Sequence, residues 1–464
     1  DHVDLTCERH PDSRAQELAH EHAGRPFDLR QGQLIRVSVL KFGDERHVLL
    51  FNVHHIIADE WSMGLLVREI TVLYDAFRRN IDPGLEALPI QYKDYAAWQF
   101  ETLETADAEP GRSFWLSQFP DKPPVLDLPT DKPRPTIKTY RGRSVSRTLD
   151  TDTSDRLVAF SKENGASLFM TLLTSVSVLL HRYADQDDFT IGLPTAGRSN
   201  ADLESLIGFC INTLPFRTQI DPSSSLKDLL TCTRDRVTAC LEHQMYPSDR
   251  LIDELDLRRD VSRTPLYDVT VTLQNVDPYE LILPDVVVSS FVEDYDMSKF
   301  DLSYNFQETT SGLRLDISYN SDLFLPERVE RMAEHFEQVV KGLLEDAGQT
   351  ISRLNILPPT ELAQVLDQQA TDEAAVHESI VAWFERQALR TPDNVALVEG
   401  IGLDRQQLTY QDLNERANQL LHYLHERGVR AGDRIGLLVD RSIPVIVSIL
   451  AILKARAAYV PLDP

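Results

Sequence analysis

The chain has 464 residues, 42% of them hydrophobic, a length for roughly two to four domains with a sizeable core. Its formal net charge of -26 opposes binding to nucleic acid or to an anionic membrane surface. No apolar run reaches the roughly 18 residues that a bilayer span needs. Four cysteines (Cys7, Cys210, Cys232 and Cys240) give neither a disulfide framework nor zinc spacing, which fits a reducing cytoplasm.

In chain order, residues 46–53 are rich in Val, Leu and Phe and read as a buried strand. Residues 61–74 carry apolar side chains at helical spacing. Between them stand His54, His55, Ile56, Ile57, Ala58, Asp59 and Glu60. If strand geometry continues, the histidines point to opposite faces, one open to chemistry and the other structural. Histidine is suited to moving a proton near neutral pH. Asp59 can orient an imidazole, pair with a buried Arg, or cap the helix. No second ligand cluster accompanies the pair, so no metal is expected.

Pro123, Pro124, Pro129, Pro133 and Pro135 make residues 121–135 an extended bridge between two lobes. Helices are then expected at 153–163 and 166–183, a short strand at 189–193, and a helix at 226–241. Strands follow at 267–274, 299–308 and 313–319, and a helix at 326–344 with Pro326 in its first turn. Residues 358–375 are polar and read as a linker.

His54 to Asp59, followed by Trp61 and Ser62, resembles the HHxxxDG signature of condensation domains from nonribosomal peptide synthetases. Residues 25–36 are similar to that family's RPFDLxxGPLxR stretch, and residues 92–98 to its YxDYAxW motif. Residues 207–214, with Gly208, Asn212 and Thr213, resemble GxFVNT. Residues 259–266, with Arg259, Asp260 and Arg263, match RDxSRxPL. His243, Gln244 and Pro247 resemble HQDxPFE, but Met245, Ser248 and Asp249 depart from it. Further on, residues 408–413 and 453–464 resemble the LTYxEL and LKAGxAYVPLDP motifs that open an adenylation domain, with Arg456 where that family has Gly.

The resemblance implies an α/β fold: a chloramphenicol-acetyltransferase-like two-lobed pseudo-dimer, then the beginning of an acyl-adenylating, ANL-type α/β domain. The expected division is an N-lobe at 1–145, a C-lobe at 146–357, the linker, and an incomplete adenylation portion at 376–464. Both ends look cut, since early motifs of the first family and the phosphate loop of the second have no match. The implied reaction joins a donor acyl or peptidyl thioester to an acceptor aminoacyl amine. Upstream donor and downstream acceptor peptidyl carrier domains would present both on phosphopantetheine. ATP and magnesium would serve only the complete adenylation domain, and the chain would work as a monomer.

Within the resemblance, His55 is the catalytic candidate, as general base or as the group holding the amine in line. His54 and Asp59 are more structural, and Asp59's arginine partner is expected among the unmatched early motifs, which leaves it unpaired here. Glu60 replaces the usual Gly. It is either a solvent-facing helix start or a charge that tunes His55 and restricts the donor. In the family the histidine motif sits in a tunnel between the lobes. Trp61, Gln274 and Asn275 are expected near it, Asn212 and Thr213 in a loop near the lobe interface, and Arg259, Asp260 and Arg263 as a salt-bridge network holding its own loop. Tyr410, Lys454 and Asp463 are fold-forming. Two other readings are an epimerisation-type relative, disfavoured by the Trp61-Ser62 order, and a noncatalytic module that docks carriers.

Overall fold

The computed structural model describes residues 1–464 apart from 258–259, 275–280, 292–296, 370–378, 401–405, 441 and 463–464. They divide into two compact units, Asp1–Pro359 and Thr360–Pro464.

The first unit opens with strand β1 (His2–Asp4), helix α1 (Pro11–Gly24) and strands β2 (Ile35–Lys41) and β3 (His47–Val53). Strand β2 pairs antiparallel with β3 and parallel with β1 in a three-stranded sheet. Leu5, Ala15, Leu40 and Val48 form the small core under α1. Helices α2 (Glu60–Arg79), α3 (Tyr92–Leu103) and α4 (Glu109–Gln118) follow. Asn80 closes α2 in the left-handed conformation, φ 53°, as the amide side chain of Asn tolerates.

Residues 119–141 contain no helix or strand, as expected of a proline-rich bridge. Next come strand β4 (Gly142–Leu149), helices α5 (Thr151–Glu163) and α6 (Leu168–Ala184), strand β5 (Asp188–Thr195), helix α7 (Ala201–Glu204) and strand β6 (Asn212–Gln219). Helices α8 (Leu226–Glu242) and α9 (Ser248–Glu254) lead to strands β7 (Val269–Gln274), β8 (Leu302–Thr309) and β9 (Gly312–Asn320) and helix α10 (Pro326–Glu345). These strands form a six-stranded mixed sheet in the order β4-β9-β8-β7-β5-β6.

Helix α6 is the core of this sheet layer. It is apolar around most of its circumference, which suits a fully enclosed helix. Leu172, Leu173, Val176, Val178, Leu179 and Leu180 are all 0% exposed. Its buried hydroxyls return to carbonyls one turn earlier: Thr174 to Met170 at 2.8 Å, Ser175 to Thr171 at 2.9 Å and Ser177 to Leu173 at 2.8 Å. A buried hydroxyl without such a bond would be costly. Among the described residues no single helix is long and apolar enough to cross a membrane.

Residues 358–375 do not all behave as a linker. Pro359–Gln369 is helix α11, started by a proline at its first position and carrying Leu362, Val365 and Leu366 at helical spacing. In the second unit, helices α12 (Ile380–Arg390), α13 (Tyr410–Glu426) and α14 (Ile443–Lys454) surround two strand pairs. Strands β10 (Val395–Glu399) and β11 (Gln406–Thr409) are antiparallel, and β12 (Arg434–Leu438) and β13 (Ala458–Leu462) are parallel. Thr409 and Asp412 form a capping box on α13. Lys454 reaches Asn414 at 2.8 Å and Asn418 at 2.9 Å, and pairs with Glu385. The Tyr410 ring lies 6.1 Å from Phe384, and Asp463 lies outside the described residues. Arg456 has φ 56°, a conformation that favours Gly, which accounts for Gly in the related motif.

Phe336 of α10 is 0% exposed and its ring centre lies 5.3 Å from that of Phe306 on β8. Phe336→Ala should therefore cost the first unit about 3–5 kcal/mol. Urea unfolding followed by tryptophan fluorescence should show the midpoint falling, while the second unit's transition stays in place.

Candidate functional site

Strand β3 ends at Val53, and the histidines sit in the turn that follows. The strand alternation expected from sequence therefore does not govern them, because the backbone leaves extended geometry before either residue. His54 closes the ladder through its N–H to the Leu34 carbonyl at 2.9 Å. The Ile56 N–H donates to His54 Nδ1 at 3.0 Å, so that nitrogen is an acceptor and Nε2 carries the proton in the neutral ring. The edge of the His54 ring meets Phe27, with centroids 5.7 Å apart.

His55 takes the opposite tautomer. Its Nδ1 lies 2.8 Å from the Ala58 carbonyl. A carbonyl can only accept, so Nδ1 bears the proton and Nε2 holds the lone pair. Phe209 meets the ring edge-on, with centroids 5.2 Å apart. His55 is solvent-exposed, whereas His54 is half-buried. The turn thus fixes one imidazole as a local acceptor for backbone and presents the other with a free basic nitrogen.

Asp59, at 1% exposure, is the residue that fastens the turn. It caps α2 by accepting from the Ser62 N–H at 2.9 Å and the Ser62 hydroxyl at 2.7 Å. Arg198 binds it with both terminal nitrogens, at 2.7 and 3.0 Å. The Cys210 N–H adds a further bond at 3.0 Å. Asp59 is therefore paired, contrary to the sequence expectation. The partner comes from the loop after β5, which follows it by more than a hundred positions in sequence, and not from an earlier motif. Burial pushes the Asp59 carboxyl up, but hydrogen bonds from Arg198 and then Ser62 outweigh it and hold the group below the usual range.

Arg198 is equally enclosed, its side chain 1% exposed. Its remaining donors go to the carbonyls of Ala196 and Leu203, each at 3.2 Å, and of Leu206 at 3.2 Å. Gly197, φ 65°, makes the approach possible: a Cβ there would fall 1.8 Å from the Cys210 carbonyl oxygen. Gly208 plays a similar part. Its N–H donates to the Ser62 hydroxyl at 3.1 Å, and a Cβ would lie 2.0 Å from the Tyr92 ring. The Tyr92 hydroxyl in turn donates to the Phe209 carbonyl at 2.8 Å.

Other expected site residues fall into place around this clamp or away from it. Trp61 donates from Nε1 to the Glu204 carbonyl at 2.8 Å, with the Arg198 guanidinium 5.7 Å from its ring. Glu60 is the first residue of α2, and its carboxylate accepts from Gln274 Nε2 at 3.1 Å. That bond ties the start of α2 to the end of β7. Burial first, and the charge of Asp59 second, push the Glu60 carboxyl up. Asn212 and Thr213 begin strand β6 instead of lying in a loop. Asn212 Nδ2 donates to the carbonyls of Gln244 and Tyr246, both at 2.8 Å, and its Oδ1 accepts from the Ser248 N–H at 3.1 Å.

Of the expected Arg259, Asp260 and Arg263 network, Asp260 and Arg263 form no ion pair with each other. Asp260 instead accepts from the N–H and hydroxyl of Ser262, at 2.9 and 2.6 Å. This local turn satisfies the carboxylate and frees the guanidinium. Arg263 bonds Asp268 at 3.0 Å and Asp127 at 3.1 Å, holding the proline-rich bridge to the entry of β7. Arg259 and Asn275 lie outside the described residues. Sequence reasoning missed Arg198, Ser62, Phe209 and the role of Tyr92. The stretch 197–200 reads as ordinary turn chemistry, and only the glycine before an arginine hinted at a close approach.

Removing Arg198 would strand a buried carboxylate. Arg198→Ala should cost about 3–5 kcal/mol. Asp59→Ala/Arg198→Ala should cost less than the sum of its single changes, since the second removal takes away an unpaired charge. Because the Asp59 pKa is lowered on folding, its contribution is present above the ordinary aspartate pKa and is lost as pH falls through the lowered value. Unfolding midpoints measured for wild type and Asp59→Asn across the acid range should therefore converge at low pH.

The Condensation domain family matches residues 2–366, and the AMP-binding enzyme family matches residues 384–464. Tyrocidine synthase 3 of Brevibacillus parabrevis is 36% identical over 442 residues, 95% of this chain. The chain spans only 7% of that synthase's length. A solved four-domain nonribosomal peptide synthetase in its holo form, bound to AMP and glycine, aligns over 100% of this chain and 36% of its own, with 26% identity and a TM-score of 0.71. The X-domain from teicoplanin biosynthesis, solved in complex with OxyB, aligns over 77% of this chain and 79% of its own, with 25% identity and a TM-score of 0.69. With a matched family across most of its length and a second at its end, the chain belongs to the Condensation domain family found in nonribosomal peptide synthetases and continues into the start of an AMP-binding enzyme domain.

Proposed function

We propose that this chain joins a donor acyl or peptidyl thioester to the amine of an acceptor aminoacyl thioester, each delivered on the phosphopantetheine arm of a separate carrier domain. The carrying observation is the His55 tautomer: Nδ1 is committed to the Ala58 carbonyl, which leaves Nε2 as the basic atom. The acceptor nitrogen attacks the donor carbonyl, and a C–N bond forms as the C–S bond breaks. His55 Nε2 takes the proton that the nitrogen sheds and returns it to the departing sulfur. The Ala58 carbonyl holds the imidazolium while it carries that proton, since both ring nitrogens then donate. A thioester is already activated, so in-line positioning and this proton relay are the main demands on the protein.

His54 and Asp59 serve the turn and do not touch the reacting atoms. The upstream carrier supplies the donor and the downstream carrier the acceptor, with the chain acting as a cytoplasmic monomer. The AMP-binding portion would use ATP and magnesium within a complete adenylation domain. A carrier-docking module that does not condense is the second reading, favoured by the similarity to an X-domain captured with a protein partner.

In a synthetase containing this chain, His55→Ala should lower dipeptide formation at least about 10²-fold. Loading of both carriers should be unchanged, and mass spectrometry of the carrier-bound species checks each step. Only a trace of dipeptide from both wild type and variant would favour the docking module, and near-normal product from the variant would remove His55 from the reaction. Glu60→Gly should keep condensing, because Glu60 bonds Gln274 and makes no bond to His55; a loss as large as that of His55→Ala would make Glu60 part of the proton relay.

A further inference from the structure

The six-stranded sheet opens between two of its parallel neighbours. Strands β5 and β7 are registered through a single residue pair, Gly192 with Thr270. Beyond that pair β5 continues through Leu193, Pro194 and Thr195, and β7 through Val271 to Gln274, without a further registered partner between them. Pro194 suits such an edge, because it has no N–H to leave unpaired. Tyr267 crowds the point of divergence, where a Cβ on Gly192 would lie 2.5 Å from its ring.

The split borders a partly open cavity of about 220 Å³, lined by Leu193, Pro194, Thr195, Leu214, Thr272 and Leu273 from the strands. Phe169 of α6 and Val237, Cys240 and Leu241 of α8 complete its wall. Its floor is apolar and buried: Leu214 and Val237 are 1% exposed and Cys240 4%. Burial pushes the Cys240 thiol up to about 12. The space exceeds the roughly 150 Å³ apolar cavity that accepts benzene in another protein.

Its position links it to the histidine turn. Gln274, next to the lining residue Leu273, bonds Glu60. Arg198, which clamps Asp59, follows the lining residue Thr195 in the loop leaving β5. Phe209, which meets His55, precedes Asn212, the register partner of Thr195. The cavity therefore lies at the carboxyl end of two parallel strands where the sheet parts, the place at which open sheets take ligands.

We propose that this cavity seats the apolar side chain of a carrier-bound aminoacyl group, and so sets which residue is joined. The inference rests on the condensation reading for its ligand, but not for its test. The chain would be titrated with leucyl and glycyl N-acetylcysteamine thioesters, and binding followed by ligand-observed NMR. Wild type should prefer the leucyl compound by about tenfold or more, the discrimination an apolar pocket gives for added methylenes. Thr272→Phe, which fills the space from β7, should abolish that preference and leave glycyl binding and the unfolding midpoint unchanged. An N-formyl leucyl thioester can act only as donor; its exclusion from the site would identify the acceptor as the source, and its retention the donor.

The absence of a leucyl preference in wild type would overturn the cavity assignment even if condensation proceeds. An equal loss of both ligands in Thr272→Phe would overturn it as well. A leucyl preference that Thr272→Phe removes, in a chain that forms no dipeptide within its synthetase, would support the cavity and count against the condensation reading.

Discussion

The buried pair of Asp59 and Arg198 is the interaction on which the rest of the site depends. Two charges at about 1% exposure are expensive to remove from water, and their attraction alone does not repay the cost. What makes the pair tenable is complete hydrogen bonding. Asp59 is met by Ser62, Cys210 and both arms of the guanidinium, and Arg198 by carbonyls of its own loop. The yield is specificity of arrangement more than stability. One end of the pair starts helix α2, the other gathers residues 196–210, and the histidine turn lies between β3 and that anchored helix.

Aromatic packing then converts the anchored backbone into a position for the imidazole. Gly208 lets the Tyr92 ring lie against the main chain, and the Tyr92 hydroxyl holds the next carbonyl, that of Phe209. Phe209 meets the edge of His55. A methyl group at position 208 would push on Tyr92, and the displacement would reach the reactive ring through Phe209. Gly197 guards the opposite side, where the Arg198 loop crosses the Cys210 carbonyl. The ring's place is set by chain geometry around two glycines, not by a bond to the ring's basic nitrogen.

Much of this architecture is legible in sequence where the signal is local. The apolar run of α6, the proline that starts α10 and the strand before His54 all declare themselves by period and by end signals. The motif order likewise pointed to the family. The failures have a common cause. Whether Asp59 is paired, and with what, depends on a contact across 139 positions, and nothing near Asp59 or Arg198 encodes it. Asp260 and Arg263 look like partners because they are close in sequence, yet a serine two residues on satisfies Asp260 first. The polar stretch after residue 357 hides helix α11, whose few apolar positions are diluted by Gln and Asp.

Asn212 has a consequence for how this protein can change over time. All three of its side-chain bonds go to main-chain atoms, the carbonyls of Gln244 and Tyr246 and the N–H of Ser248. Every amino acid but proline offers those same atoms. Met245, Ser248 and Asp249 can therefore differ from the residues relatives carry while the segment stays stapled to β6, whereas Tyr246, buried and bonded to Glu254, and His243, stacked on Phe114, are held by their own side chains. The constraint is asymmetric. On one side the staple itself asks nothing of the side chains at 245, 248 and 249, whereas the amide on the other side has no substitute that both donates twice and accepts from the same short arm.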